Sequence, residues 1–171
     1  MSSRDFICDP QSREDFRKFA KAIRRKYGYE KEIYFPIEKL FDQISVDFDF
    51  DYELVDDNEF KPNEFAITVL NENKIYFKTS LYEKAMKGDG FGRMTLAHEL
   101  EHILSFKLFD IQLYRKILPN DKAYKDPEWH AKCFGGELLM DYELTNKLSV
   151  EEIVDKCGVT YDAAMYRVYK Y

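Results

Sequence analysis

His98, Glu99 and His102 lie close together in the segment TLAHELEHILSF and use two of the three histidines in the chain. Side chains four positions apart lie on one face of an α-helix, so both imidazoles can bind one metal ion while Glu99 stands beside it. A water on such an ion is activated for hydrolysis when a neighbouring carboxylate accepts its proton. The spacing therefore predicts one zinc ion (Zn²⁺), with His98 and His102 as ligands and Glu99 as general base.

Catalytic zinc usually has three protein ligands, so one ligand remains to be found downstream. Glu128 is favoured because it follows Asp126-Pro127, a capping side chain and a proline that together start a helix. At the second helical position, its carboxylate is stabilised by the exposed N–H groups and the helix dipole. Ala131 and Gly135, both small and on the same face, would let this helix approach the histidine-bearing helix closely.

The other candidates considered downstream are Asp110, Asp126, His130, Cys133 and Glu137. His130 lies about 200° around the helix from Glu128, so the two are not expected to share a metal ion. We interpret His130 as a surface histidine, or as one that supports a ligand without touching the metal.

The helix that carries the two histidines is predicted to begin near Gly92 and to run for about fifteen residues. Upstream, Asp9-Pro10 predicts the start of a first helix that ends near Gly28. Pro36 opens a second, shorter helix. The first helix has a basic face, which we interpret as solvated or as facing acids of the same chain. Its residues are Arg13, Arg17, Lys18, Lys21, Arg24 and Arg25.

Between these helices the hydrophobic period changes to two. Residues 46–54 alternate apolar and acidic side chains, which predicts a strand with an acidic face. Segments 65–70 and 74–78 flank the turn-like Asn71-Glu72-Asn73 and predict a hairpin. We expect a small antiparallel sheet, in which segment 74–78 could bind an extended substrate as an added strand.

Helices dominate the rest of the chain. The helix at Asp126-Pro127 is expected to run to about Leu144, and two short helices then meet near Gly158. The mixed order predicts a single α+β domain in which a small antiparallel sheet packs with the H-E-x-x-H helix and C-terminal helices. Its parts are an N-terminal basic helix and connection (1–35), a catalytic core (36–145) and a C-terminal helical pair (146–171).

Composition limits the function classes. A net charge of −6, from 32 acids against 26 basic residues, argues against a nucleic-acid binder held by its overall charge. Residues 47–59 hold seven acids and no Lys or Arg. This segment is either a solvated surface or a surface that attracts a basic substrate. Three cysteines without paired spacing predict reduced thiols. A polar N-terminus and no long apolar run predict a cytoplasmic protein without a membrane segment.

Two longer segments carry a family resemblance. FGRMTLAHELEHILSF, followed from Glu128 by EWHAKCFGGELLMD, resembles the ImmA/IrrE family of metallopeptidases, whose pattern is approximately R-F-T-L-A-H-E-L-G-H and then E-x-x-A-N-x-F-A-x-E-L-L-M-P. FPIEKLFDQISV, IYFKTSLYE and SVEEIVDKCGVTYDAAMYRV extend the resemblance over most of residues 34–168. The sequence departs from the pattern at Glu101, Lys132 and Asp141, where the family has Gly, Asn and Pro.

The resemblance implies a zincin-like metallo-endopeptidase with His98, His102 and Glu128 as zinc ligands and Glu99 as general base. Members of the family often cleave a DNA-binding repressor in mobile elements or stress responses, which implies a regulatory protein as substrate, plausibly a helix-turn-helix repressor encoded nearby. None of the three departures removes a proposed ligand or the base. Glu101 adds a second carboxylate within one turn of the histidines.

Alternative functions remain open at this point. The chain could be a regulator of the same fold that binds a partner without cutting it, or a DNA-binding protein acting through its C-terminal helices. Residues 151–170 carry more acids than bases, whereas a helix that meets phosphates should be basic, so direct nucleic-acid binding is not expected. Hydrolysis of a substrate other than a peptide is a further alternative, because zinc and a glutamate activate water towards any carbonyl.

Overall fold

The computed structural model describes residues 12–108 and 126–170, together with the backbone of two short strands near the gaps. Within this part of the chain the fold is α+β, as predicted. The helices are α1 (Arg13–Lys26), α2 (Ile37–Asp47), α3 (Thr79–Met86), α4 (Gly90–Leu108), α5 (Pro127–Leu139), α6 (Tyr142–Thr145), α7 (Val150–Cys157) and α8 (Tyr161–Lys170). The strands are β1 (Phe6–Ile7), β2 (Asp51–Val55), β3 (Ala66–Val69), β4 (Lys74–Lys78) and β5 (Tyr114–Arg115).

The main sheet has three strands in the order β2-β4-β3, so β4 is central. β3 and β4 pair antiparallel around Asn73, which adopts a left-handed conformation (φ 55°), and the predicted hairpin is confirmed. β2 pairs parallel with β4, from Asp51 opposite Lys74 to Val55 opposite Lys78. The sheet is therefore mixed and not wholly antiparallel, because the chain leaving β2 passes to the opposite edge before it forms the hairpin.

The predicted strand over residues 46–54 is wrong in its first half. α2 continues to Asp47, and Asp49 adopts a positive φ (52°) in the turn that leads into β2. The apolar-acidic alternation in this region comes from a helix end followed by a tight turn. The acids consequently do not share one strand face: Asp47 accepts a hydrogen bond from the Tyr27 hydroxyl (2.8 Å), whereas Glu53 in β2 pairs with a lysine of β4.

Local capping sets where the helices begin and end. α1 starts at Arg13, because the Ser12 hydroxyl accepts the N–H of Asp15 (3.1 Å) in a capping box. The predicted start at Asp9-Pro10 is therefore wrong, and those two residues lie outside the described part of the chain. α5 starts as predicted but ends at Leu139 instead of continuing to Leu144, because Asp141 caps the separate helix α6.

α4 is longer than predicted and crosses the centre of the molecule with Leu96, Leu100 and Ile103 fully buried. α5 packs along it. A Cβ placed on Gly135 of α5 would lie 3.5 Å from the Cβ of Ala97 and 3.6 Å from the backbone nitrogen of the next residue in α4. The small face of α5 thus meets α4 at the turn that bears the histidines, as the sequence predicted.

Most of the basic face of α1 pairs with acids of the same chain, as the sequence predicted. A buried hydrophobic cluster that includes Phe16 and Ile23 fixes α1 against the core. Basic side chains at its edges then reach acids on neighbouring segments. The ion pairs are Arg13 and Arg17 with Glu137, Lys21 with Glu143, and Arg25 with Glu30.

The C-terminal helical pair forms as predicted. The Ser149 side chain caps α7, and Gly158 ends that helix in a left-handed conformation (φ 62°). Arg167 of α8 points into the protein and donates from Nη1 to Glu137 (3.1 Å). Lys170 is consequently the one exposed basic side chain of α8.

Candidate metal site

α4 brings His98 and His102 together on one face, as the four-residue spacing predicts. Their Nε2 atoms lie 3.3 Å apart, and the two rings are almost perpendicular, at 84°. The His98 side chain is 22% exposed, whereas that of His102 is only 5% exposed. The two ring nitrogens therefore converge on one point that solvent reaches from the His98 side.

Glu128 reaches the same point from α5. Its Oε2 lies 3.1 Å from His98 Nε2, and its Oε1 lies 3.4 Å from His102 Nε2. The carboxylate is held there because Asp126 caps the start of α5 two residues earlier, its side chain accepting the N–H of Glu128 (3.0 Å). Of the downstream candidates that the structure describes, Glu128 lies in contact with both histidines.

Glu99 lies beside the histidines and is 8% exposed. Ligand atoms of His98, Glu99 and His102 all fall within 4.8 Å of one another, so these three side chains could hold a metal ion. The hydroxyl of Thr68 in β3 donates to Glu99 Oε2 at 2.6 Å. That hydrogen bond occupies one carboxylate oxygen of Glu99 and ties the sheet to α4 at the site.

Glu101 is a second, more deeply buried carboxylate on α4, 1% exposed. Its Oε2 lies 3.6 Å from Nδ1 of His102, and its Oε1 accepts a hydrogen bond from the Ser105 hydroxyl one turn later. Burial raises the pKa of Glu101, while the charge of His102 and the Ser105 hydrogen bond act in the opposite direction.

The electrostatics of the cluster favour a positive charge. Burial by itself lowers the pKa of His102, but the hydrogen bond to Glu128 and the nearby charges of Glu99 and Glu101 outweigh burial and raise the pKa to about 9. Within the described residues, neither Glu99 nor Glu101 forms an ion pair with a lysine or arginine. The site is thus built to stabilise a cation, whether that cation is a proton or a metal ion.

The other downstream candidates have different roles or lie outside the described residues. The ring of His130 is 1% exposed and packs against Phe16, with centroids 5.0 Å apart, so its interpretation as a surface histidine is wrong. It is buried because α1 covers that side of α5. Asp126 caps α5, Cys133 is a buried free thiol, Glu137 pairs with arginines, and Asp110 lies outside the described part of the chain.

Two contacts of the site, Ser105 with Glu101 and Thr68 with Glu99, were not predicted from the sequence. Ser105 lies four positions after Glu101, so helical spacing could have paired them. Thr68 carries no such signal, since its hydrogen bond joins β3 to α4 across 31 positions of sequence. Contacts between distant segments become visible only when the sheet and the helix are packed together.

Comparison with known proteins adds no family to this geometry. A scan against protein-family models finds no model that matches the chain, and a search of curated proteins finds no match either. In the part of the chain that the structure describes, every helix is too short or too polar to cross a membrane.

Proposed function

We propose that the protein is a zinc-dependent endopeptidase with His98, His102 and Glu128 as metal ligands and Glu99 as general base. The observation that carries the proposal is one carboxylate in contact with two ring nitrogens that lie 3.3 Å apart: Glu128 Oε2 lies 3.1 Å from His98 Nε2, and its Oε1 lies 3.4 Å from His102 Nε2. The resemblance to ImmA/IrrE metallopeptidases supports the same assignment for each of these residues.

Zinc fits this donor set better than a hard cation does. Two imidazoles and one carboxylate are a ligand set of catalytic zinc, whereas calcium and magnesium prefer oxygen ligands. Ligand atoms about 2.0–2.1 Å from a tetrahedral ion are separated by about 3.3 Å from one another. The two ring nitrogens are 3.3 Å apart, which matches that value, and each has an oxygen of Glu128 at 3.1 or 3.4 Å, so the spacing of the donors fits zinc.

When bound, zinc would lower the pKa of a water and polarise a substrate carbonyl. Glu99 supplies the proton chemistry. With one oxygen held by Thr68, its carboxylate can accept the proton of the attacking water through the other and return it to the leaving amine. Partial exposure of His98 leaves a route by which a substrate reaches this point.

An extended peptide could bind along β3, not along β4. The expectation that segment 74–78 accepts an added strand is wrong, because β4 already has a strand on both sides. β3 is an edge strand, and its Thr68 contacts the general base. A peptide that paired with the edge of β3 would have its backbone beside Glu99, which agrees with endopeptidase activity.

The proposed substrate is a cytoplasmic regulatory protein of the class of DNA-binding repressors encoded nearby. The family resemblance supports this substrate class. Direct DNA binding through the C-terminal helices has less support, because Arg167 is turned inward and leaves α8 with a single exposed basic side chain.

The first test measures metal. Purified wild-type protein should contain one zinc per chain by elemental analysis, and His98→Ala should lose it. Glu99→Gln should keep the zinc, because Glu99 is not a ligand in the proposal. A wild-type protein that takes up no zinc on reconstitution would overturn the metal assignment and favour the partner-binding alternative.

The second test measures cleavage. New protein N-termini should appear in cells that make the wild-type protein and be absent with Glu99→Gln, and the nearest encoded repressor should be cut in vitro at least about 100-fold more slowly by that variant. Glu83→Gln, an exposed carboxylate on α3, is the matched control and should cleave normally. Equal cleavage by wild type and Glu99→Gln would exclude the proposed base.

A further inference from the structure

We propose that Glu101 orients His102 for metal binding by accepting a hydrogen bond from Nδ1–H of that ring. The inference rests on the proposed function, because it concerns the ligand His102 of the same site. It assigns a role to a carboxylate that is neither a proposed ligand nor the proposed base.

The two edges of the His102 ring face different groups. Nε2 lies 3.3 Å from Nε2 of His98 and 3.4 Å from Oε1 of Glu128, on the side of the proposed ion. Nδ1 lies 3.6 Å from Oε2 of Glu101. A neutral imidazole binds metal through one nitrogen and carries its proton on the other, so a carboxylate at Nδ1 selects Nε2 as the metal-binding atom.

Glu101 is held in place for this contact. The Ser105 hydroxyl donates to Oε1, which leaves Oε2 directed towards His102. The separation of 3.6 Å is an ion-pair contact, longer than a hydrogen bond between these atoms. A divalent cation on Nε2 withdraws electron density from the ring and makes Nδ1–H a stronger donor, so we expect the contact to shorten to a hydrogen bond when metal binds.

Burial explains why the carboxylate needs this partner. A carboxylate that is 1% exposed is strongly destabilised unless it is paired with positive charge. Within the described residues, the charged groups that act most strongly on Glu101 are His102, His98 and Glu128, and Glu101 forms no ion pair with a lysine or arginine. The histidines are therefore the source of positive charge near Glu101, and a metal ion bound to them would supply that charge.

The test is the zinc affinity of four purified proteins, measured by competition with a chromophoric chelator. Glu101→Gln keeps an acceptor without the charge and should bind zinc about 10-fold more weakly than wild type. Glu101→Met removes the acceptor as well and should lose up to about 100-fold. Glu83→Gln, which changes an exposed carboxylate on α3 outside the metal site, is the control and should bind zinc as wild type does.

A second measurement uses the wild-type protein, so it does not depend on how the variants fold. Nitrogen-15 NMR of the zinc-loaded protein should show His102 protonated at Nδ1 and metal-bound at Nε2. Binding through Nδ1, or an unchanged zinc affinity in both Glu101 variants, would overturn the role of Glu101 while leaving the zinc site intact. Failure of the wild-type protein to bind zinc would instead overturn the proposed function.

Discussion

Arg93 offers a direct test of how α4 is held in place. It lies five positions before His98, its side chain is fully buried, and its guanidinium joins α4 to two distant segments. Nε donates to Glu38 (2.9 Å), Nη1 donates to the carbonyls of Cys157 and Gly158 (2.6 Å each), and Nη2 donates to the carbonyl of Phe35.

Replacing Arg93 with methionine should be among the most damaging single changes in the chain. The Glu38 carboxylate, 5% exposed, would keep its charge without a cation, and losing one partner of a buried ion pair costs about 3–5 kcal/mol. Backbone carbonyls left without donors add to that loss. Because whole domains are stable by about 5–15 kcal/mol, Arg93→Met should lose at least about 4 kcal/mol and lie close to unfolding.

Urea unfolding followed by circular dichroism measures this loss. Adding Glu38→Gln to Arg93→Met should recover about 1–3 kcal/mol, because it removes the unpaired buried charge and keeps an acceptor for the Tyr34 hydroxyl. Arg25→Met, at an exposed ion pair, is the control and should unfold almost as wild type. A cost of less than about 1 kcal/mol for Arg93→Met, or a double variant no more stable than Arg93→Met alone, would contradict the stabilising role of the Arg93–Glu38 pair.

Three further predictions follow from other contacts. Thr68→Val should keep zinc but lower kcat about 10-fold with little change in KM, because the carboxylate of the general base loses its hydrogen bond, and Thr68→Ser should restore the rate. Gly158→Ala should lower the free energy of unfolding by about 2–3 kcal/mol in thermal unfolding, since a Cβ would lie 2.5 Å from Nη1 of the buried Arg93. Gly28→Ala, whose Cβ would meet no atom within 4 Å, is the control and should cost about 1 kcal/mol. Burial raises the pKa of the Cys133 thiol to about 12 and that of the Cys157 thiol to about 11. In a variant that lacks Cys8, these two thiols should therefore resist alkylation by iodoacetamide at pH 8 until urea is added.

Local signals in the sequence predicted the parts of the site that lie on single helices. The four-residue spacing of His98 and His102 fixes their common face on any helix, and the cap at Asp126 fixes where α5 begins. Glu128 could be placed at that helix start, and Gly135 indicated the face that approaches α4. Each of these inferences needs only the geometry of one helix.

Predictions failed where one pattern fits two conformations. The alternation over residues 46–50 is compatible with a strand, yet it forms the last turn of α2 and a turn through Asp49. Sheet pairing failed for a related reason, since the sequence of β2 does not say whether its partner runs parallel or antiparallel. The first error is local, because a helix end followed by a tight turn can carry the same alternation as a strand, whereas the second concerns contacts between segments, which local periodicity does not encode.

The two buried acids of the site, Glu101 and Glu99, show the same difference between what local sequence predicts and what only packing reveals. Glu101 was recognisable as a carboxylate within one turn of the histidines, but only its burial against Nδ1 of His102 gives that charge a partner. Glu99 was assigned from the motif, but the donor that holds it comes from an edge strand. α4 therefore supplies two of the proposed ligands and the proposed base, α5 supplies Glu128, and the packing of the sheet and of α5 against α4 decides how each charge is held.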